Sequence, residues 1–142
     1  LISCAVVNDG VIMTPRLVDS VFDGEGEMVH ESEALPLTSV VTPETAEGLR
    51  LLMRETVLTG TGRSSLLKLT RSNIYKGIEV GAKTGSINDS SGQFRLDWVT
   101  AYAIPEDGRD PIAVAVLGVH GAYMGARAGE LARLIMARHF SS

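Results

Sequence analysis

The sequence has one cysteine, seven aromatic residues and no long apolar run. A lone cysteine, Cys4, cannot form a disulfide within the chain. A helix that spans a bilayer needs about 20 consecutive apolar residues, and no such run is present. We therefore expect these 142 residues neither to span nor to enter a membrane, and to contain no signal peptide or anchor.

Positive charge is also scarce. There are 13 Lys and Arg residues against 17 Asp and Glu, a net charge of −4, and the basic residues form no cluster. Nucleic-acid binding needs a basic surface, so we expect no nucleic-acid partner. His30, His120 and His139 are far apart and lack ligand spacing. We interpret them as structural or surface residues and predict no metal and no cofactor.

The apolar residues that are present alternate between helical and strand patterns. Residues 1–7 indicate the end of a helix, 11–13 and 17–22 short strands, and 23–31 a hairpin with its return. Thr42-Pro43-Glu44 is typical of a helix start and Gly60 of a helix end. Between them, apolar residues recur at helical spacing: Ala46, Leu49, Leu52 or Met53, and Val57.

Three strands are predicted next, over residues 77–86, 95–104 and 111–119. The polar link 87–93 and the turn 105–108 are too short for a parallel crossover, so we expect the strands to pair antiparallel. A final helix over 124–140 would place Ala128, Leu131, Leu134 and Ile135 on one face. The prediction is an α+β fold, an antiparallel sheet flanked by helices, with residues 1–142 in a single domain.

Lys83-Thr84-Gly85-Ser86 stands at the end of the first of these strands. K-T-G is a mark of class A β-lactamases and penicillin-binding proteins, together with S-x-x-K and S-D-N. Chance alone would place the tripeptide in a chain of this length on the order of a few per cent of the time. The surrounding sequence must therefore decide its meaning.

Three further passages match the same family in the same order. CAVVNDGV (4–11) with TPRLV (14–18) is similar to the family's "aiANGG…PrlV" passage, TVLTGTG (56–62) to its "VV..GTG" turn, and DWVTAYAIP (97–105) to its "aWFvGyaP" strand. Asp9 and Ala101 depart from the family pattern, which often has glycine at both positions, but both departures are mild. The chain resembles the C-terminal part of a penicillin-binding protein transpeptidase domain, of the serine β-lactamase/D,D-peptidase superfamily.

The resemblance implies roles for the K-T-G residues in acyl transfer on peptidoglycan stem peptides and on β-lactams. Lys83 and Ser86 are the predicted catalytic residues, Lys83 through its charge and Ser86 through a backbone N–H in the oxyanion hole. All four residues from Lys83 to Ser86 are predicted to bind substrate. The Thr84 hydroxyl would contact the substrate carboxylate, and Gly85 would let the ligand lie flat on a strand edge.

The family's nucleophile lies in S-x-x-K, and its second serine in S-x-N, both well before K-T-G. Ser65-Leu66-Leu67-Lys68 and Ser86-Ile87-Asn88 have these spacings. We interpret both as coincidental, because Ser65 is expected in a short loop and Ser86 belongs to the K-T-G strand. The expected partner is then the N-terminal half of the same domain, in a parent anchored at the extracytoplasmic face of the bacterial membrane. The chain alone is expected to be inactive, with self-association as a further expectation.

Other interpretations stay open at this point. A D,D-carboxypeptidase or β-lactamase-type relative would carry the same motif, and a non-catalytic module could use residues 83–86 to capture a peptide or carboxylate. An S-x-x-K and an S-x-N in the parent reading frame would separate the enzymes from the module. Elsewhere, Trp98 is expected in the core. Asp97 is expected at a solvated strand end, with a reach toward the site as the alternative. Thr61 is expected in a helix-ending turn and not as a catalytic group, and the resemblance implies that this turn lies near the cleft.

Overall fold

A computed structural model describes residues 1–71 and 76–141. The chain forms two compact units, Leu1–Glu47 and Gly48–Ser142. In the first unit the helix α1 (Ile2–Val7) precedes four short strands: β1 (Val11–Met13), β2 (Ser20–Phe22), β3 (Met28–Glu31) and β4 (Pro36–Ser39). β1 pairs antiparallel with β4, and β2 with β3. The strand predicted over 17–22 thus begins at Ser20, and the sequence did not reveal β4.

The turn after α1 requires glycine at position 10. Asp9 and Gly10 have φ angles of 49° and 86°, in the left-handed region that ends a helix. A Cβ at Gly10 would lie 2.1 Å from the Val41 carbonyl oxygen. The predicted helix end at this point is therefore confirmed, and a side chain at residue 10 would both strain and displace the backbone.

The second unit contains the rest of α2 (Pro43–Leu58), which starts in the first unit, and five further elements. These are α3 (Arg63–Arg71), β5 (Ile78–Asn88), β6 (Arg95–Pro105), β7 (Ile112–His120) and α4 (Ala128–His139). Thr42 Oγ1 accepts a hydrogen bond from Thr45 N at 3.3 Å, as the predicted helix start requires. β5, β6 and β7 form one antiparallel sheet in that order, which confirms the predicted pairing and the α+β class.

One face of this sheet carries the core of the second unit. Val80, Ala82, Val99 and Ala101 are fully buried there, and α3 and α4 cover them. The helices contribute buried side chains that lie against this face: Leu66, Leu67, Leu69, Ala128, Ala132, Met136 and the adjoining Phe140. Strand alternation puts Thr84 and Ser86 on the same face as Val80 and Ala82, further along β5. The core therefore fixes the direction in which half of the K-T-G segment points.

The other face holds a polar cluster. Arg50 Nε of α2 lies 2.7 Å from Glu79 Oε1, and the buried Tyr102 hydroxyl lies 3.0 Å from Arg50 O and 3.1 Å from Glu79 Oε1. The Arg50 hydrogen bond, with Tyr102 adding to it, holds the pKa of Glu79 below its usual range. Tyr102 lies directly opposite Gly81. A Cβ at Gly81 would be 2.4 Å from the Tyr102 ring, so only glycine fits.

Three sequence predictions need correction. The loop expected before β5 contains the nine-residue helix α3; residues 72–75 of that loop lie outside the described residues. α4 begins at Ala128 and not at 124, and it buries Ala128, Ala132 and Met136, whereas Leu134 and Ile135 are exposed. Small residues face inward because α4 packs closely on α3: a Cβ at Gly129 would lie 2.9 Å from Ser65 Oγ. In α2, Met53 is half-buried and Leu52 exposed.

Candidate functional site

The K-T-G segment lies on an edge strand. Among the described strands, β5 pairs only with β6, so the other side of β5 presents its backbone N–H and C=O groups. The start of β5 is buried, but Lys83 and Ser86 are exposed and Thr84 and Gly85 half-buried. Lys83 Nζ donates a hydrogen bond to Thr84 O. The polypeptide therefore leaves the core at the point where the predicted site residues begin.

The turn between α2 and α3 contacts this strand through two hydroxyl groups. Thr61 Oγ1 and Thr84 Oγ1 are 2.6 Å apart and form a hydrogen bond in which either atom can donate. Gly62 N donates to Thr56 O at 3.0 Å and keeps the turn tight against α2. Sequence reasoning treated Thr61 as an ordinary turn residue. The resemblance to the family's "GTG" passage implies a turn near the cleft, and this contact agrees with it.

A cleft of about 420 Å³ lies beside these residues. It brings together all four predicted site residues, and two cations and one carboxylate line it: Lys83, Arg127 and Asp97. Trp98 is also part of the lining and is 46% exposed, so its predicted place in the core is wrong. The reason is strand alternation: Val99 and Ala101 take the core face, and Trp98 points the other way.

Asp97 is the site residue whose environment differs most from the sequence prediction. Its side chain is 14% exposed and accepts two hydrogen bonds, from Ala128 N at 3.0 Å and from Ser86 Oγ at 3.4 Å. The predicted solvated strand end is therefore wrong, and the alternative, that Asp97 reaches toward the site, agrees with its place in the cleft lining. Asp97 has the same position in the strand alternation as Val99, and this was the available signal that it points toward the helices.

Ser65 and Lys68, which have the S-x-x-K spacing, both lie on α3. Ser65 is half-buried and lines the cleft, whereas Lys68 is exposed and belongs to a different depression. No hydrogen bond of the described residues joins the two side chains. Ser86 and Asn88 lie together on β5, as expected from the continuous K-T-G strand.

Within residues 1–71 and 76–141, no group of three His, Cys, Asp or Glu side chains is arranged to hold a metal ion. The helices in these ranges are all too short or too polar to cross a bilayer.

Comparison with known proteins agrees with this geometry. Residues 2–137 match the family model of the penicillin binding protein transpeptidase domain. The chain is 27% identical to the D,D-transpeptidase domain of a peptidoglycan glycosyltransferase from Eggerthella lenta, with a TM-score of 0.75. The match covers 99% of this chain and 30% of that one. Penicillin-binding protein A from M. tuberculosis, solved as an imipenem acyl-enzyme, has the same fold at 24% identity, with a TM-score of 0.72 over 96% of this chain and 28% of that one.

The comparison with curated proteins gave no match. The present chain spans about 30% of the length of the two solved chains described above. Its match to the family model nevertheless extends over nearly all of its own residues. The chain belongs to the family of penicillin-binding protein transpeptidase domains.

Proposed function

We propose that this chain supplies the K-T-G strand of a D,D-transpeptidase that cross-links peptidoglycan stem peptides by serine acyl transfer and binds penicillin. The nucleophilic serine comes from another segment of the parent polypeptide, which acts at the extracytoplasmic face of the bacterial membrane. The observation that carries the proposal is the position of Lys83–Ser86, on an edge strand and in the lining of a cleft to which Arg127 adds a second positive charge.

The edge of β5 suits an extended peptide. A substrate that pairs with this edge becomes one more strand, and its backbone is held by the N–H and C=O groups of residues 83–86. The hydroxyl of Thr84 is held by Thr61 at 2.6 Å in the lining of the cleft, where a ligand carboxylate can reach it. Lys83 adds positive charge on the same edge, which favours a substrate that ends in a carboxylate.

Gly85 supports a ligand at this edge because the fold itself does not require glycine there. Its φ is not in the left-handed region, and a Cβ would meet only Trp98 Cβ, at the ordinary distance of 3.8 Å. Gly81 on the same strand is different, since Tyr102 occupies the space of its missing side chain. The open surface at Gly85 is thus available to a molecule that lies against the strand.

The sheet face that carries Lys83 supports a partner segment. Next to Lys83 this face exposes four large apolar side chains: Ile87, Trp98, Leu117 and Val119. Exposed apolar patches of this kind mark surfaces that another polypeptide covers. We assign the cover to the segment of the parent that brings the serine nucleophile, so that the cleft is completed when the two segments meet.

The test is acylation of the parent by a fluorescent penicillin, with Thr84→Val as the variant. Valine keeps the shape and strand preference of threonine but removes the hydroxyl. We expect slower acylation, and a smaller loss with a β-lactam analogue whose carboxylate is replaced by a neutral group. Thr100→Val, a half-buried threonine on β6, is the matched control and should leave acylation unchanged. Equal loss with both ligands would contradict the role of Thr84, and binding of stem peptide without acylation would favour a non-catalytic module.

A further inference from the structure

Asp97 lines the cleft and connects three elements. It lies directly opposite Ser86 on β5 and Gly118 on β7, so it occupies the middle of the sheet. Its Oδ1 accepts from Ser86 Oγ, and its Oδ2 accepts from Ala128 N, the first residue of α4. The N-cap residue of α4, Arg127, makes no side-chain cap of its own. Asp97 therefore caps α4 from a strand 31 residues earlier, and its negative charge complements the helix dipole.

His120 lies behind Asp97 and is buried, with 6% of its side chain exposed. Its ring occupies the space above Gly118, where a Cβ would lie 3.0 Å from His120 Nε2. Nδ1 accepts a hydrogen bond from Gly125 N at 3.2 Å, so the ring proton of the neutral imidazole is on Nε2. Nε2 lies 3.8 Å from Asp97 Oδ2, which is longer than a hydrogen bond, and it has no hydrogen-bond partner among the described residues.

We propose that Asp97, backed by His120, is a positioning residue that holds Ser86 and the first turn of α4 in place around the cleft. This inference rests on the proposed function for its catalytic consequence. Ser86 is on one side of the carboxylate, and Ala128, which follows the cleft-lining Arg127, is on the other. His120 packs behind the carboxylate and accepts a hydrogen bond from Gly125 N, in the loop that leads into α4. One carboxylate thus sets the distance between the K-T-G strand and the Arg127 side of the cleft.

The role predicts a specific pattern for substitutions at position 97. Asp97→Ala removes both acceptors and frees the start of α4. Asp97→Asn retains one carbonyl oxygen, which can accept from Ala128 N, while its NH2 group can donate to the Ser86 hydroxyl, a group that also accepts. Asparagine should therefore restore the geometry that alanine destroys. A purely electrostatic role would give the opposite result, because asparagine has no charge.

The experiment compares the parent protein with its Asp97→Ala and Asp97→Asn variants by penicillin acylation and by hydrogen exchange. In Asp97→Ala we expect the limiting acylation rate to fall roughly tenfold, with a smaller change in the half-saturating concentration, because positioning acts on the reacting geometry. Amides in peptides covering residues 121–131 should exchange about fivefold faster, the effect of losing one helix cap. Asp97→Asn should retain most of both properties. Glu79→Gln, a carboxylate at the other end of the same strand pair, is the control that should lower stability and leave the limiting rate unchanged.

Each other outcome decides against the inference. The inference would be overturned if Asp97→Ala kept the wild-type rates of acylation and hydrogen exchange. It would also be overturned if Asp97→Asn changed both rates as much as Asp97→Ala does. If Asp97→Ala does not fold, Gly118→Ala replaces it, because its Cβ displaces the His120 ring, and unchanged exchange at Gly125 would then refute the connection. If the wild-type parent is not acylated at all, the proposed function fails, and the exchange data alone decide whether Asp97 positions α4.

Discussion

Gly81→Ala is expected to destabilise the protein strongly, although it adds one methyl group. The new Cβ would lie 2.4 Å from two Tyr102 ring carbons and 2.5 Å from its hydroxyl oxygen, where ordinary contacts begin at 3.4 Å. The Tyr102 ring is fully buried, so it cannot move outward without leaving Arg50 O and Glu79 Oε1. β5 must then move away from β6 close to Lys83.

The cost follows from two effects. Overpacking a closed core site costs about 1–3 kcal/mol, and leaving the buried Tyr102 hydroxyl without its partner adds about 1–3 kcal/mol. A Gly→Ala change recovers about 0.4–1 kcal/mol through the unfolded chain. We therefore expect a net loss of roughly 1–5.6 kcal/mol in the free energy of unfolding.

Gly85→Ala on the same strand is the matched control. Its Cβ would meet only Trp98 Cβ, at 3.8 Å, so the free energy of unfolding should stay within about 1 kcal/mol of wild type. Its penicillin acylation should nevertheless fall, because the methyl group projects into the surface that we propose for the ligand. The assay is urea unfolding and acylation of both parent variants side by side. Wild-type stability in Gly81→Ala, or equal destabilisation in the two variants, would refute the packing argument.

Three further predictions concern pH, labelling and association. Because the pKa of Glu79 is lowered in the fold, the stabilisation from Glu79 is present at neutral pH and is lost as pH falls through the folded-state pKa. Glu79→Gln should reduce this fall of the melting temperature between pH 7 and pH 3. The chain alone should form no covalent adduct with fluorescent penicillin, and labelling that disappears in Ser65→Ala would identify Ser65 as a nucleophile after all. The isolated chain should associate or bind a hydrophobic dye through the exposed apolar face around Trp98. A stable monomer in light scattering that binds no dye would contradict the inference that another polypeptide covers this face.

Local signals in the sequence predicted the sheet well. The short polar link after Asn88 and the turn at Pro105 allow only antiparallel neighbours, and the structure has them in that order. The prediction failed where both faces of a strand are apolar. Around Trp98 the run contains Val99 and Tyr102 on opposite faces, so alternation did not indicate that Trp98 leaves the core.

The contacts of the site depend on distant residues and could not be predicted in the same way. Asp97 caps a helix that starts 31 positions later, and Thr61 contacts Thr84 across 23 positions. Neither pairing has a local signature, since a capping residue normally directly precedes its helix. α3 was missed because its nine residues carry no clear start signal in the sequence, and the buried Leu66, Leu67 and Leu69 hold it in place through tertiary packing.

The measurement that tests the central claim most directly is the acylation rate constant of the parent carrying Lys83→Ala, recorded beside its melting temperature. Lys83 is exposed and its Nζ contacts only the neighbouring Thr84 carbonyl among the described residues, so its removal should lower stability very little. If its charge draws in the substrate carboxylate and assists proton transfer, acylation should slow by about 10²-fold or more, and Lys83→Arg should recover only part of the rate because the guanidinium needs more room. An unchanged rate constant in Lys83→Ala would mean that the K-T-G strand is only scaffold.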